Sequence, residues 1–133
     1  MTESSPELPF AVKFIVLFLG VDILERLGWI VTVLLDDGST LPRTVLAFSA
    51  LWVATDGLLI LLLTLRTYAG RIWTILLFSI HIIYVVFQLI HERPFLWVSL
   101  DGLGQARLFV TVGIDALILH LVSTQAARDV LVE

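Results

Sequence analysis

Four long apolar runs, residues 9–35, 43–65, 71–90 and 107–124, constrain this chain more than any other feature. Each is long enough to cross about 30 Å of hydrocarbon at about 1.5 Å per residue. In lipid such a run has to be helical, because only a helix satisfies its own backbone polar groups without water. The sequence therefore predicts an all-α integral membrane protein, a bundle of four transmembrane helices. Composition agrees: 59% of the 133 residues are hydrophobic and 15% are charged, against about 25% charged in ordinary soluble domains. With a mean hydropathy of +1.01, the chain carries more apolar surface than a small core could hide. Residues 1–133 are read as one membrane domain.

The polar punctuation fits four spans. Residues 36–40 with Pro42 form a turn whose proline suits a helix start, residues 66–70 make a tight second connection, and Pro94 is expected to end the third helix. Residues 93–106 mix Phe95, Trp97 and Leu100 with Asp101, Gly102 and Gly104, which predicts a loop lying at the membrane surface. No basic segment precedes the first run, as a signal peptide would require, so the first helix is expected to be retained. Arg66 and Arg71 flank the tightest loop, with Tyr68 and Trp73 beside them. By the positive-inside rule that loop faces the cytoplasm, and so do both termini of a multi-pass cell-membrane protein.

A weak internal similarity links the second and fourth runs. Asp56-Gly-Leu-Leu-Ile-Leu stands beside Asp115-Ala-Leu-Ile-Leu-His, each followed by an arginine, which suggests two parallel helical hairpins related by an axis along the membrane normal.

The ionisable residues carry the functional information. The midpoints of the four runs fall near residues 22, 55, 81 and 115, where Asp22, Asp56, His81 and Asp115 stand. A charged side chain at the centre of a bilayer costs at least about 2.5 to 3.5 kcal/mol, so four at one level are expected to face one another in a shared buried site. On the first run Asp22, Glu25 and Arg26 lie at i, i+3 and i+4. Asp22 can then pair with Arg26 while Glu25 reaches a neighbouring helix. On the third, Thr74, His81, Tyr84, Gln88 and His91 share a helical face, with Tyr84 and Gln88 supporting the histidine. Asp22, Glu25, Asp56 and Asp115 against Arg26 alone leave about three negative charges to be balanced by protons, a bound cation or charged His81.

Other chemistry is excluded or disfavoured. The absence of cysteine removes disulfides, thiolate metal sites, CxxCH haem attachment and cysteine nucleophiles. The net charge of -4 without a basic run excludes nucleic acid as a partner. His91-Glu92 opens an HExxH pattern, but Phe95 stands where the second histidine belongs. Residues 101–107 have one residue too many for the DGxxAR opening of the CDP-alcohol phosphotransferases. No enzymatic activity and no cofactor is expected. The residues favour the binding or relay of protons or a small cation by Asp22, Asp56, His81 and Asp115, with Glu25 and Arg26 compensating charge. Its rivals are a structural or accessory subunit of a larger membrane complex and a metal-binding bundle using the histidine and carboxylates. The expected partners are the lipid bilayer and either further copies of the chain or a larger membrane complex.

Overall fold

The computed structural model describes residues 7–36, 43–87, 89–90 and 102–132. These residues are helical, with no strand among them: α1 Phe10–Leu35, α2 Arg43–Thr64, α3 Tyr68–Phe87, α4 Gly102–Val122 and the short α5 Gln125–Val130. The expected turn at residues 37–42, the stop at Pro94 and most of the surface loop fall outside the described residues. Residues 102–106, expected in that loop, are instead the first turn of α4. Their Gln, Ala and Arg are good helix formers, and two flanking glycines did not outweigh them.

Three helices, α2, α3 and α4, are long and apolar enough to cross a membrane. Their apolar surface points outward: of the most apolar 18-residue stretch of each, only 11%, 22% and 17% is buried. A soluble protein would bury its largest apolar faces, so this inside-out distribution is compatible with a membrane protein. Mid-helix hydroxyls tell the same story. Thr32, Thr55, Thr64, Thr74 and Thr111 each donate to the carbonyl four residues earlier, at 2.7–2.9 Å. A hydroxyl folded back on its own helix needs no water. α1 is as long as any of these, with 26 residues. It differs because Asp22, Glu25 and Arg26 fall in its middle.

α1 packs chiefly along α2 and α3 along α4, while α2 meets α3 and α4 returns against α1. The apolar core joins Val12, Ile15 and Leu19 of α1 to Leu59 and Leu63 of α2, Phe78 of α3, and Ile118 and Val122 of α4, with Ala127 and Leu131 sealing one end. These buried positions of α1, α2 and α4 all lie between the α2–α3 turn and the level of Asp22, Asp56 and Asp115. The ionisable residues therefore sit at the edge of the apolar core.

The α2–α3 turn fixes how closely those two helices approach. Arg66 takes the left-handed conformation, φ 59°. Its position lets Thr67 N–H reach Leu62 O at 3.0 Å and Arg66 N–H reach Leu63 O at 3.1 Å, so the last carbonyls of α2 are satisfied. Thr67 then starts α3: its hydroxyl donates to Leu62 O at 2.9 Å and accepts from Gly70 N–H at 3.0 Å. Gly70 rests on α2, where a Cβ would come within 2.9 Å of the Leu62 backbone carbon. No side-chain rotation relieves a clash with backbone, so Gly70→Ala should lower stability by about 1–3 kcal/mol. Gly113 on α4 has open space around it, and Gly113→Ala should leave stability equal or higher. Unfolding midpoints in detergent check both; equal midpoints for the two variants would contradict the close approach.

Candidate functional site

Asp56, Leu59 and Leu63 form the buried stripe of α2, and Asp115, Ile118 and Val122 that of α4. In each helix the acid tops a stripe of apolar residues at i, i+3 and i+7, so the packing that buries the leucines also carries the carboxyl inward. Asp56 is 3% exposed and Asp115 4%.

The layer resolves into two pairs, one per hairpin. Between α3 and α4, His81 Nδ1 lies 2.6 Å from Asp115 Oδ2. Between α1 and α2, the Asp56 carboxyl lies near enough to that of Asp22 for their charges to interact. Asp22 Oδ2 also accepts from Arg26 Nε at 2.6 Å, one turn along α1. One Asp56 oxygen, Oδ2, is buried and has no hydrogen-bond partner among the described residues.

Trp52, one turn before Asp56 on α2, stands between the pairs. The Arg26 guanidinium lies 5.6 Å from the centre of its ring, and the His81 ring meets it edge-on at 6.4 Å and 67°. A cation over an aromatic face and an edge-on imidazole are both attractive arrangements. The charges of Asp22 and Arg26 are also close enough to act on His81. Arg26 and His81, one from each pair, therefore share the Trp52 ring.

Other expected residues lie elsewhere. Glu25 does reach a neighbouring helix as expected, accepting from Arg107 Nη2 at 3.1 Å on α4, but both side chains are mostly exposed and lie outside the buried layer. Tyr84 is turned outward, 53% exposed. Gln88 and His91 fall outside the described residues. The expected polar face of α3 is thus not a single inward stripe: its buried residues are Gly70, Thr74, Phe78 and Val85. Tight packing on α2 is made by small and apolar groups, and His81 sits at the margin of that stripe. Thr111, aligned with Asp115 in sequence, bonds its own helix instead. His120 is exposed. Trp52 stands four residues before Asp56 in the sequence, and no sequence signal pointed to its role between Arg26 and His81. Away from the layer, the Lys13 ammonium lies 2.9 Å from Glu7 and holds that carboxyl below the ordinary carboxylate range, by hydrogen bond and charge.

Chemically, two carboxyl groups near each other repel unless a proton or a cation lies between them. The Asp22–Asp56 pair is suited to hold one positive charge of small size. Among the described residues no group of three histidine, aspartate or glutamate side chains could hold a metal ion.

The His81–Asp115 bond should be worth more than its position in the sequence suggests. In a double-mutant cycle of His81→Phe with Asp115→Leu, the coupling should reach about 0.6–1.7 kcal/mol, the range for hydrogen-bonded partners between membrane helices. Asp115→Leu with Lys13→Met, about 13 Å away along the helix axes, should be additive within about 0.5 kcal/mol. Denaturant titration of the purified variants measures both, and zero coupling in the first cycle would remove the bond from the account. Comparisons with protein-family models, with curated proteins and with solved structures give no match.

Proposed function

We propose that this chain is a membrane protein in which α1 crosses the bilayer beside α2, α3 and α4, and that its central layer binds or relays protons or a small cation. The observation that carries the reading is the Asp56 carboxyl: 3% exposed, with one oxygen unpartnered among the described residues and a second carboxyl, Asp22, nearby. An aspartate in that position is neutral only when it holds a proton or a cation.

Charge counting sharpens the point. Glu25 has Arg107. With His81 in its charged form, Asp115 is balanced as well. Asp22 and Asp56 then face Arg26 alone, which leaves one negative charge rather than three. One proton or one monovalent cation at the Asp22–Asp56 pair neutralises the layer. Because its charges are paired within the protein, α1 can cross a bilayer despite them. The apolar core lies on the α2–α3 side of the layer, so a proton reaches the carboxyls more easily from the opposite side, and passage through needs movement of Leu19, Leu59 and Phe78.

A second reading has its own observation. The His81–Asp115 pair is closed, each group satisfied by the other, and such a pair can serve only to fix α3 on α4. The protein would then be a structural or accessory subunit, or assemble with further copies of itself.

Liposomes loaded with a pH dye separate these readings. Transport predicts proton flux that falls at least tenfold in Asp56→Asn and is kept in Arg128→Gln, a change at the exposed end of α5. The structural reading predicts no flux in the wild type and lowered stability in Asp115→Asn. Topology is tested by single cysteines, which the cysteine-free chain permits. Tyr68→Cys, in the α2–α3 turn, should react with an impermeant maleimide only from the cytoplasmic side. Leu35→Cys, at the far end of α1, should react only from outside. Labelling of both from one side would refute the crossing of α2. Glu7→Cys, exposed ahead of α1, should react only from the cytoplasmic side, and its labelling from the same side as Leu35→Cys would refute the crossing of α1.

A further inference from the structure

The two hairpins share a common register. Asp22 and His81 are 59 positions apart, and so are Asp56 and Asp115. The same offset, without a gap, carries three of the four buried residues of α1, Ala11, Ile15 and Leu19, onto buried Gly70, Thr74 and Phe78 of α3; the fourth, Val12, falls on half-buried Arg71. It also carries the whole buried stripe of α2, Asp56, Leu59 and Leu63, onto that of α4, Asp115, Ile118 and Val122. Two unrelated helices could share a rotational phase by chance, but here phase, depth and the partner across the hairpin all coincide. The ends agree in kind though not in register, the turn after α4 being two residues shorter than that after α2. α2 and α4 are each followed by a threonine whose hydroxyl caps the next helix three residues on, Thr67 to Gly70 N–H and Thr124 to Ala127 N–H, within Thr-Tyr-Ala-Gly-Arg and Thr-Gln-Ala-Ala-Arg.

We infer that the chain carries two copies of one ionisable site, one per two-helix unit, and that the residue at position 26 or its counterpart 85 sets the charge each copy holds. In the first copy an aspartate faces Asp56, and Arg26, one turn along, supplies the compensating cation. In the second a histidine faces Asp115 and can carry the positive charge itself. The counterpart of Arg26 there is Val85, which is buried and apolar. The pairs of residues 22 with 26 and 81 with 85 thus changed together: Asp with Arg, His with Val. Either combination leaves one cationic group on the odd-numbered helix. A mixed combination leaves none or two. The register rests on burial and contacts alone, so it stands apart from the flux reading above.

Exchanging the combination tests this. Asp22→His and Arg26→Val should each lower the unfolding midpoint in detergent. The double variant Asp22→His/Arg26→Val should recover most of the loss, because it gives the first unit the second unit's site. Asp22→His/Glu25→Val, out of register by one residue, should recover nothing. Infrared difference spectra add a reading of charge: a protonated-carboxyl band lost in Asp56→Asn should also be lost in Asp22→His/Arg26→Val, where the imidazole takes over the positive charge. The reciprocal His81→Asp/Val85→Arg should be more stable than either of its single changes. Additive losses in both double variants, or failure of both to yield folded protein, would overturn the inference. Flux is not read in these experiments, so a wild type without flux leaves their outcome intact.

Discussion

An aspartate held among apolar helices must meet a counter-charge or a proton, and the packing of this chain is arranged round that requirement. Asp56 and Asp115 are driven inward by the same stripes that bury Leu59, Leu63, Ile118 and Val122. Once inside, each is met by a group from the partner helix of its own hairpin. Helix pairing and charge pairing therefore coincide, since sliding either hairpin by one residue would turn the acid away from its partner and toward an apolar surrounding. That coincidence explains why the most extensive contacts run between α1 and α2 and between α3 and α4. It also explains why the apolar core ends where the ionisable residues begin.

The two halves meet the same requirement by different chemistry. His81 and Asp115 form a closed pair, which holds α3 to α4 and needs nothing further. Asp22 and Asp56 share a site that stays one positive charge short even with Arg26 in contact. Trp52 lies between the halves, stacked under Arg26 and against the edge of His81. A change of charge in one half is felt by the other through that short distance, and low dielectric strengthens the effect. In the proposed reading the first half exchanges a proton or cation while the second keeps the helices in place.

At the α2–α3 turn, close approach is secured by backbone rather than by charge. Arg66 accepts a left-handed conformation, and Gly70 admits the Leu62 backbone where any side chain would collide. This end carries the buried core and the α5 seal. The other end bears the exposed Glu25–Arg107 pair and the more open helix surfaces.

The sequence by itself determined the helices and the depth of Asp22, Asp56, His81 and Asp115, because both follow from local rules: run length against bilayer thickness, and position within the run. The Asp22–Arg26 spacing belongs here too, being one turn of one helix. What it could not determine was partnership across helices, which depends on rotation and register. Glu25 therefore turned to Arg107 instead of the layer, Tyr84 turned outward, Trp52 came between Arg26 and His81, and the layer divided into two pairs. A common depth is shared by every rotation of a helix about its axis. Only the packing of the apolar core around Leu19, Leu59, Phe78 and Ile118, and of Gly70 on Leu62, chooses among those rotations, and with them which charges meet.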